Sequence, residues 1–228
     1  AYRPPFNVQH LLDFFANRAI AGVESVDLAK GLIRRSISLP HKGTMLRGWV
    51  EAQWAEERHR VQLRISESLA SALPEVLTRI RAWLDLDADP AAMDPMLCPD
   101  FAGSEGIRVP GTLDGLELAV RAILGQQITV KAARTLTARL VDHCGIPLAR
   151  APEGLARCFP DVATLAALSP DVLGSLGIVK QRQQAILSLA HAVQSGALHL
   201  QPGGDVAATM AQLQTLPGIG TWTAHYIA

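Results

Sequence analysis

Residues 216–228 read LPGIGTWTAHYIA, and the way this stretch turns decides what the rest of the chain is built around. Pro217 fixes its own φ and pushes Leu216 toward extended backbone. Gly218 and Gly220 permit φ above zero and carry no Cβ to hold another surface away. The turn is therefore expected to expose backbone N–H groups at the start of a helix near Thr221. Unpaired amides and the helix dipole attract an anion such as a phosphate there.

Working outward, GDVAATMAQLQTL (204–216) leads into the turn as a helix, so a helix lies on each side. The region before it is also read as helical. DGLELAVRAILGQ (114–126) ends at Gly125, and TVKAARTLTARLVDHCG (129–145) starts with Thr129 as N-cap and stops at Gly145. SPDVLGSLG (169–177) places Ser169 at the cap, Pro170 in the first turn and Gly177 past the end. VKQRQQAILSLAHAVQSG (179–196) spaces Ile186, Leu189, Ala190 and Val193 as a core stripe.

The first part of the chain has a different grammar. VQHLLDFFANRAI (8–20) puts Leu11, Leu12, Phe15 and Ala19 on one helical face, with Phe14 at its edge. VQLRIS (61–66) alternates Val61, Leu63 and Ile65 with polar residues, and MLRGWVEAQW (45–54) does so with Leu46, Val50 and Trp54, as antiparallel strands do. LPEVLTRIRAWLDL (73–86) returns to helical spacing through Val76, Leu77, Ile80, Trp83 and Leu84. The Pro-, Asp- and Gly-rich stretch 87–111 then reads as a loop. These patterns predict an α+β domain at 1–90, a linker at 91–112 and a helical domain at 113–228.

Composition narrows the function classes. Apolar residues make up 49% of the chain, enough for a core without staples. Cys98, Cys144 and Cys158 lie too far apart for a zinc or iron–sulfur spacing, and the seven histidines show none either. A reducing cytoplasmic setting and no membrane span are expected. Basic and acidic side chains balance at 21 each, so any contact with nucleic acid has to be local rather than a general effect of charge.

Flanked by helices, the turn reads as a helix–hairpin–helix reader of the DNA backbone; a bare Gly-x-Gly also fits a connector that binds nothing. The continuation LPGIGTWTAHYIA, taken with AVRAILGQQITVKAARTLTARL (119–140) and RPPFNVQHLLDFFANRAIAGVE (3–24), closely resembles the helix–hairpin–helix DNA glycosylases of the bacterial 3-methyladenine DNA glycosylase II branch. The resemblance runs through nearly the whole chain. It implies an N-terminal antiparallel sheet domain with helices followed by an all-α glycosylase bundle, and excision of alkylated bases from double-stranded DNA by hydrolysis after base flipping.

Alkylation at N3 or N7 makes a purine cationic, which improves the leaving group and rewards an electron-rich aromatic wall. Trp222 and Tyr226, spaced i, i+4, match the family's base pocket and are expected to sandwich the everted base; Phe14 matches an aromatic from the N-terminal domain. Bifunctional relatives carry a Lys where this chain has Trp222, so no amine is available for a Schiff base and the resemblance implies a monofunctional hydrolase. Gln126 and Gln127 match the wedge that fills the gap left by the flipped nucleotide. The best-known wedge is Leu, and Gln127 departs from it with an amide able to hydrogen-bond the orphaned base.

Gly218, Ile219, Gly220, Thr221 and Thr223 match the phosphate-binding hairpin, and the backbone carbonyls of Gln214, Leu216 and Ile219 match positions that hold a sodium or potassium ion. No other cofactor is implied. The resemblance assigns the catalytic carboxylate to an Asp downstream of the hairpin's second helix, beyond Ala228, which leaves the bundle incomplete at that end. Asp171 and Asp205 sit in first helical turns and read as capping groups. A monomer is expected, with fusion to an upstream methyl-transfer regulatory module left open by the Ala at position 1. The alternative is a non-catalytic helix–hairpin–helix DNA-binding module or an inactive fragment lacking the catalytic Asp.

Overall fold

The computed structural model describes residues 1–201 and 203–228, which divide into two compact units: Ala1–Leu113 with Leu148–Ala156, and Asp114–Pro147 with Arg157–Ala228. In the first, helix α1 (Val8–Arg18) opens under an Asn7 cap, whose side chain accepts from the His10 N–H. Strands β1 (Glu24–Asp27), β2 (Leu32–His41), β3 (Thr44–Ala55) and β4 (Arg60–Ile65) then form an antiparallel sheet in sequential order. Its register pairs Glu24 with Arg35, Ile33 with Ala52 and Val50 with Ile65. Helices α2 (Leu73–Trp83) and α3 (Pro90–Leu97) follow.

The alternation read from the sequence fixes which face of the sheet is covered. Val50, Ala52 and Trp54 of β3 are buried, and in one cluster with them lie Leu11, Leu12 and Phe15 of α1 and Val76, Ile80 and Trp83 of α2. Each large apolar side chain buried this way stabilises by about 1.5–3 kcal/mol before chain entropy is counted. Leu77 departs from its expected core position and is 37% exposed, because it lies about 100° around the helix from the Val76–Ile80–Trp83 stripe. Ala19, expected on the buried face of α1, is instead its C-cap.

Buried charged groups are held by specific partners within this unit. Glu24 and Arg35 form a buried ion pair across β1 and β2, and Glu24 also accepts from the Ile20 N–H at 3.0 Å. Arg108, fully buried, donates to the carbonyls of Arg3 at 2.7 Å and Pro5 at 3.0 Å, with its guanidinium 4.4 Å from the Phe6 ring. Residues 91–112, expected as a linker, therefore fold inside the first unit. Pro90 at a helical N1 position, behind Asp89 at the cap, starts α3 where the density of Pro and Gly suggested only a loop.

The second unit comprises α4 (Gly115–Leu124), α5 (Val130–Cys144), the two-residue strands β5 (Ile146–Pro147) and β6 (Arg157–Cys158), and helices α6 (Val162–Ala166), α7 (Pro170–Ser175), α8 (Lys180–Gln194), α9 (Val206–Gln214) and α10 (Thr221–Ile227). Helix α4 is its centre. Ala119, Val120, Ile123 and Leu124 are buried, and α4 packs against α5, α8 and α10. The Thr129 and Ser169 caps form as the spacing predicts, accepting from Ala132 and Val172. The β5–β6 pair interrupts a region read as wholly helical; strands of two residues are too short to impose a period.

Between β5 and β6 the chain returns to the first unit. The Ala156 N–H donates to the Gly22 carbonyl at 2.7 Å, and the Trp49 indole N–H to the Arg150 carbonyl at 3.2 Å. No described helix is long and apolar enough to cross a membrane.

Candidate functional site

The quoted turn joins α9 to α10 and is closed by its own backbone. The Leu216 N–H donates to the Leu213 carbonyl at 3.1 Å, and the Ile219 N–H to the Leu216 carbonyl at 3.2 Å. Gly218 has φ +80°, and a Cβ there would meet the Ala185 Cβ on α8 at 3.1 Å, so this position needs glycine for both conformation and space. Gly220 differs from expectation. Its φ of −87° and ψ of 175° are open to any residue, and a Cβ there would meet nothing within 4 Å. Its missing side chain leaves the first turn of α10 uncapped from within and uncovered from without.

Two of the five phosphate-binding positions are corrected. Ile219 is buried and spends its N–H closing the turn, so it anchors the hairpin rather than facing a ligand. Thr223 is only 4% exposed, and its Oγ1 accepts from Gln126 Nε2 at 3.0 Å, which removes the hydroxyl from the surface. Gly220 and Thr221 remain exposed.

Gln126 explains Thr223. The same Nε2 donates to the Gly218 carbonyl at 2.9 Å, so one side chain from the α4–α5 bend holds both the turn and the helix behind it. Its own carbonyl accepts from the Arg182 guanidinium of α8. Gln126 is thus a tie within the fold and not an exposed wedge. Gln127, next in the chain, is exposed with φ +54°, a left-handed conformation that a non-glycine residue adopts only when its surroundings enforce it.

Trp222 and Tyr226 project together from α10, 70% and 50% exposed. Their rings are nearly parallel, 12° apart in plane, with centroids 5.5 Å apart. Such a pair is already stacked and leaves no room for a third ring between its members. The expected sandwich is therefore corrected to a stacked pair that offers its outer surfaces. Phe14 belongs to the first unit, on α1, where Arg18 lies 3.9 Å above its ring and Phe15 packs edge-on at 5.6 Å.

The Asp205 side chain accepts from the Ala208 N–H and caps α9, as expected. Asp171 lies in the first turn of α7 behind the Ser169 cap. No group of His, Cys, Asp or Glu among the described residues is arranged to hold a metal ion. Arg182 was not anticipated. The available signal was its place in the first turn of α8 beside Lys180 with no acidic residue, since cations are disfavoured at a helix N-terminus.

A helical unit organised around this hairpin, in a chain that also carries a four-stranded sheet unit, defines a class. Residues 120–223 match the HhH-GPD superfamily of base excision DNA repair proteins, and residues 1–114 match the AlkA N-terminal domain. The chain is 37% identical over 227 residues to DNA-3-methyladenine glycosylase 2 of Escherichia coli (strain K12), covering 100% of this chain and 78% of that protein. It belongs to that glycosylase family.

A second relative is the probable bifunctional transcriptional activator/DNA repair enzyme AlkA of Mycobacterium tuberculosis (strain CDC 1551 / Oshkosh), 35% identical across 99% of this chain and 45% of its own length. The fold matches the 3-methyladenine DNA-glycosylase of Archaeoglobus fulgidus with a TM-score of 0.72 at 20% identity, over 99% of this chain and 76% of that one.

Proposed function

We propose that this base-excision repair glycosylase flips cationic, alkylated purines such as 3-methyladenine out of duplex DNA and hydrolyses the N-glycosidic bond without a lyase step. The observation that carries this reading is the exposed Trp222–Tyr226 stack directly behind the hairpin. Two large apolar rings left in solvent forgo burial energy, and their faces attract a positively charged base more strongly than a neutral one. Selectivity then follows from the lesion's charge, and so does reactivity, because a cationic purine leaves readily.

On this reading the open amides at Gly220 and Thr221 take a phosphate near the everted nucleotide. Gln127, held at positive φ and exposed, enters the space the nucleotide vacates. A sodium or potassium ion fits the same hairpin: the Leu216 carbonyl accepts one hydrogen bond and keeps a second lone pair, with the Gln214 and Ile219 carbonyls as its companions. Such an ion would add positive charge beside the phosphate. The developing oxocarbenium ion needs a carboxylate, which the resemblance assigns to a position following α10. Asp205, occupied as a cap, does not supply it.

The test is single-turnover release of 3-methyladenine from an alkylated duplex by the full-length protein. Release of free base with an unbroken strand supports the reading. Tight binding of the lesion without release overturns it in favour of a non-catalytic DNA-binding module.

A further inference from the structure

We propose that an open groove along α5 is a second DNA-backbone site, separate from the hairpin. The proposal rests on the glycosylase reading above. The groove, of about 460 Å³, is lined by Thr129, Lys131, Thr135 and Arg139 of α5 and its cap, and by Arg182 of α8. Its lining begins at Ile128, directly after Gln127, so a strand leaving the wedge position meets it at once.

The charge in the groove is one-sided and fixed in place. No Asp or Glu occurs between Glu117 and Asp142, or between Asp171 and Asp205, so the zero net charge of the chain conceals a local excess of cations. Arg139 donates to the Leu176 carbonyl at 3.2 Å and Arg182 to the Gln126 carbonyl. Among the described residues, neither these arginines nor Lys131 makes an ion pair. Carbonyls orient the guanidinium groups without neutralising them, which leaves their full charge for an outside anion. Lys180 and Arg182 also stand against the dipole of α8. A bound polyanion relieves that repulsion.

Spacing selects the occupant. Lys131 and Arg139 are separated by about 12 Å along the helix axis at 1.5 Å per residue. A single phosphate reaches only one of them. A DNA strand rising about 3.4 Å per nucleotide lays phosphates along the whole interval. Thr129, whose oxygen accepts from the Ala132 N–H, keeps its own O–H as a donor, whereas the Thr135 hydroxyl donates to the Lys131 carbonyl at 3.0 Å and only lines the groove with Ala132.

The test is the salt dependence of binding of an undamaged fluorescent duplex, read by anisotropy, for the full-length protein and its Lys131→Ala, Arg139→Ala and double variants. Each cation removed is expected to lower the slope of log affinity against log salt by about one. Lys131→Glu, at an exposed helix position that tolerates Glu, is expected to weaken binding at least tenfold with unchanged circular dichroism. Unchanged slopes while the unmodified protein still releases base overturn the groove and leave the function reading intact. Slopes that fall as expected without base release by the unmodified protein support the groove and overturn the function reading. Competition by inorganic phosphate equal to that by duplex, at matched ionic strength, overturns the choice of a polyanion.

Discussion

The side-chain amide of Gln126 donates to the main-chain carbonyl of Gly218, 92 positions later in the chain, at 2.9 Å. One residue before the exposed Gln127, the chain is thereby tied to the hairpin glycine whose positive φ shapes the turn. The bend and the hairpin share one hydrogen-bonded joint, to which Thr223 and Arg182 also belong.

That joint predicts a paired effect. Gln126→Ala removes two hydrogen bonds and leaves the Gly218 carbonyl short of a partner, and is expected to cost about 1–3 kcal/mol in urea unfolding. Combined with Thr223→Val, the two losses are expected to be non-additive by at least about 0.5 kcal/mol, since both delete the same bond. Strict additivity would mean that the Gln126–Thr223 contact contributes nothing.

The two glycines of the hairpin are expected to behave oppositely. Gly218→Ala forces φ +80° on a residue with a Cβ and presses it against Ala185, so a loss of about 1–2 kcal/mol is expected. Gly220→Ser supplies a capping oxygen at a position with ordinary dihedrals, and stability should hold or rise by a few tenths of a kcal/mol. The serine side chain, bonded to the Trp222 or Thr223 N–H, also stands over the neighbouring Gly220 and Thr221 amides assigned to phosphate, so duplex affinity should fall while thermal stability does not. Parallel changes in both quantities would refute this separation.

Trp222→Ala is expected to leave stability within about 0.5 kcal/mol, because the indole is mostly exposed. Base release should drop by at least about tenfold, the equivalent of one cation–π contact of about 1–2 kcal/mol. Trp222→Phe, which keeps a ring, should recover part of it. Equal release by all three proteins in single-turnover assays would remove the pair from the proposed pocket.

The hairpin was readable in the sequence because its signals are local: a Pro, two glycines and an i, i+4 aromatic pair within one turn of helix. The strands were readable for the same reason, since Val61, Leu63 and Ile65 alternate without interruption. What escaped were relations between distant residues. Nothing near Gln126 announces that its partners are Gly218 and Thr223, so two adjacent glutamines looked equivalent when one is a tie and the other a free end. The ring geometry escaped as well, since helical spacing says that Trp222 and Tyr226 are neighbours but not that they stack on each other.

Acid sensitivity is expected to centre on the sheet. Burial opposes ionisation of Glu51, but hydrogen bonds from Arg34 at 2.6 Å and Arg64 at 3.0 Å outweigh it and hold its carboxyl below the ordinary range. A carboxylate depressed in the folded state contributes stability that is complete above its unfolded pKa and is lost as pH falls through the folded value. Glu51→Gln should therefore flatten the acid limb of the stability–pH curve and lower the plateau above it, without changing the slope on the alkaline side. An acid limb identical to that of the unmodified protein would rule this out.

The excursion of Leu148–Ala156 governs any attempt to dissect the molecule. A cut after Leu113 would strand this strip on the wrong fragment: the downstream piece would carry nine residues whose hosts, Gly22 and Trp49, had been left behind. Recovering autonomous halves calls for excising the strip from one and supplying it to the other, as a graft or an added peptide, rather than for a single scission.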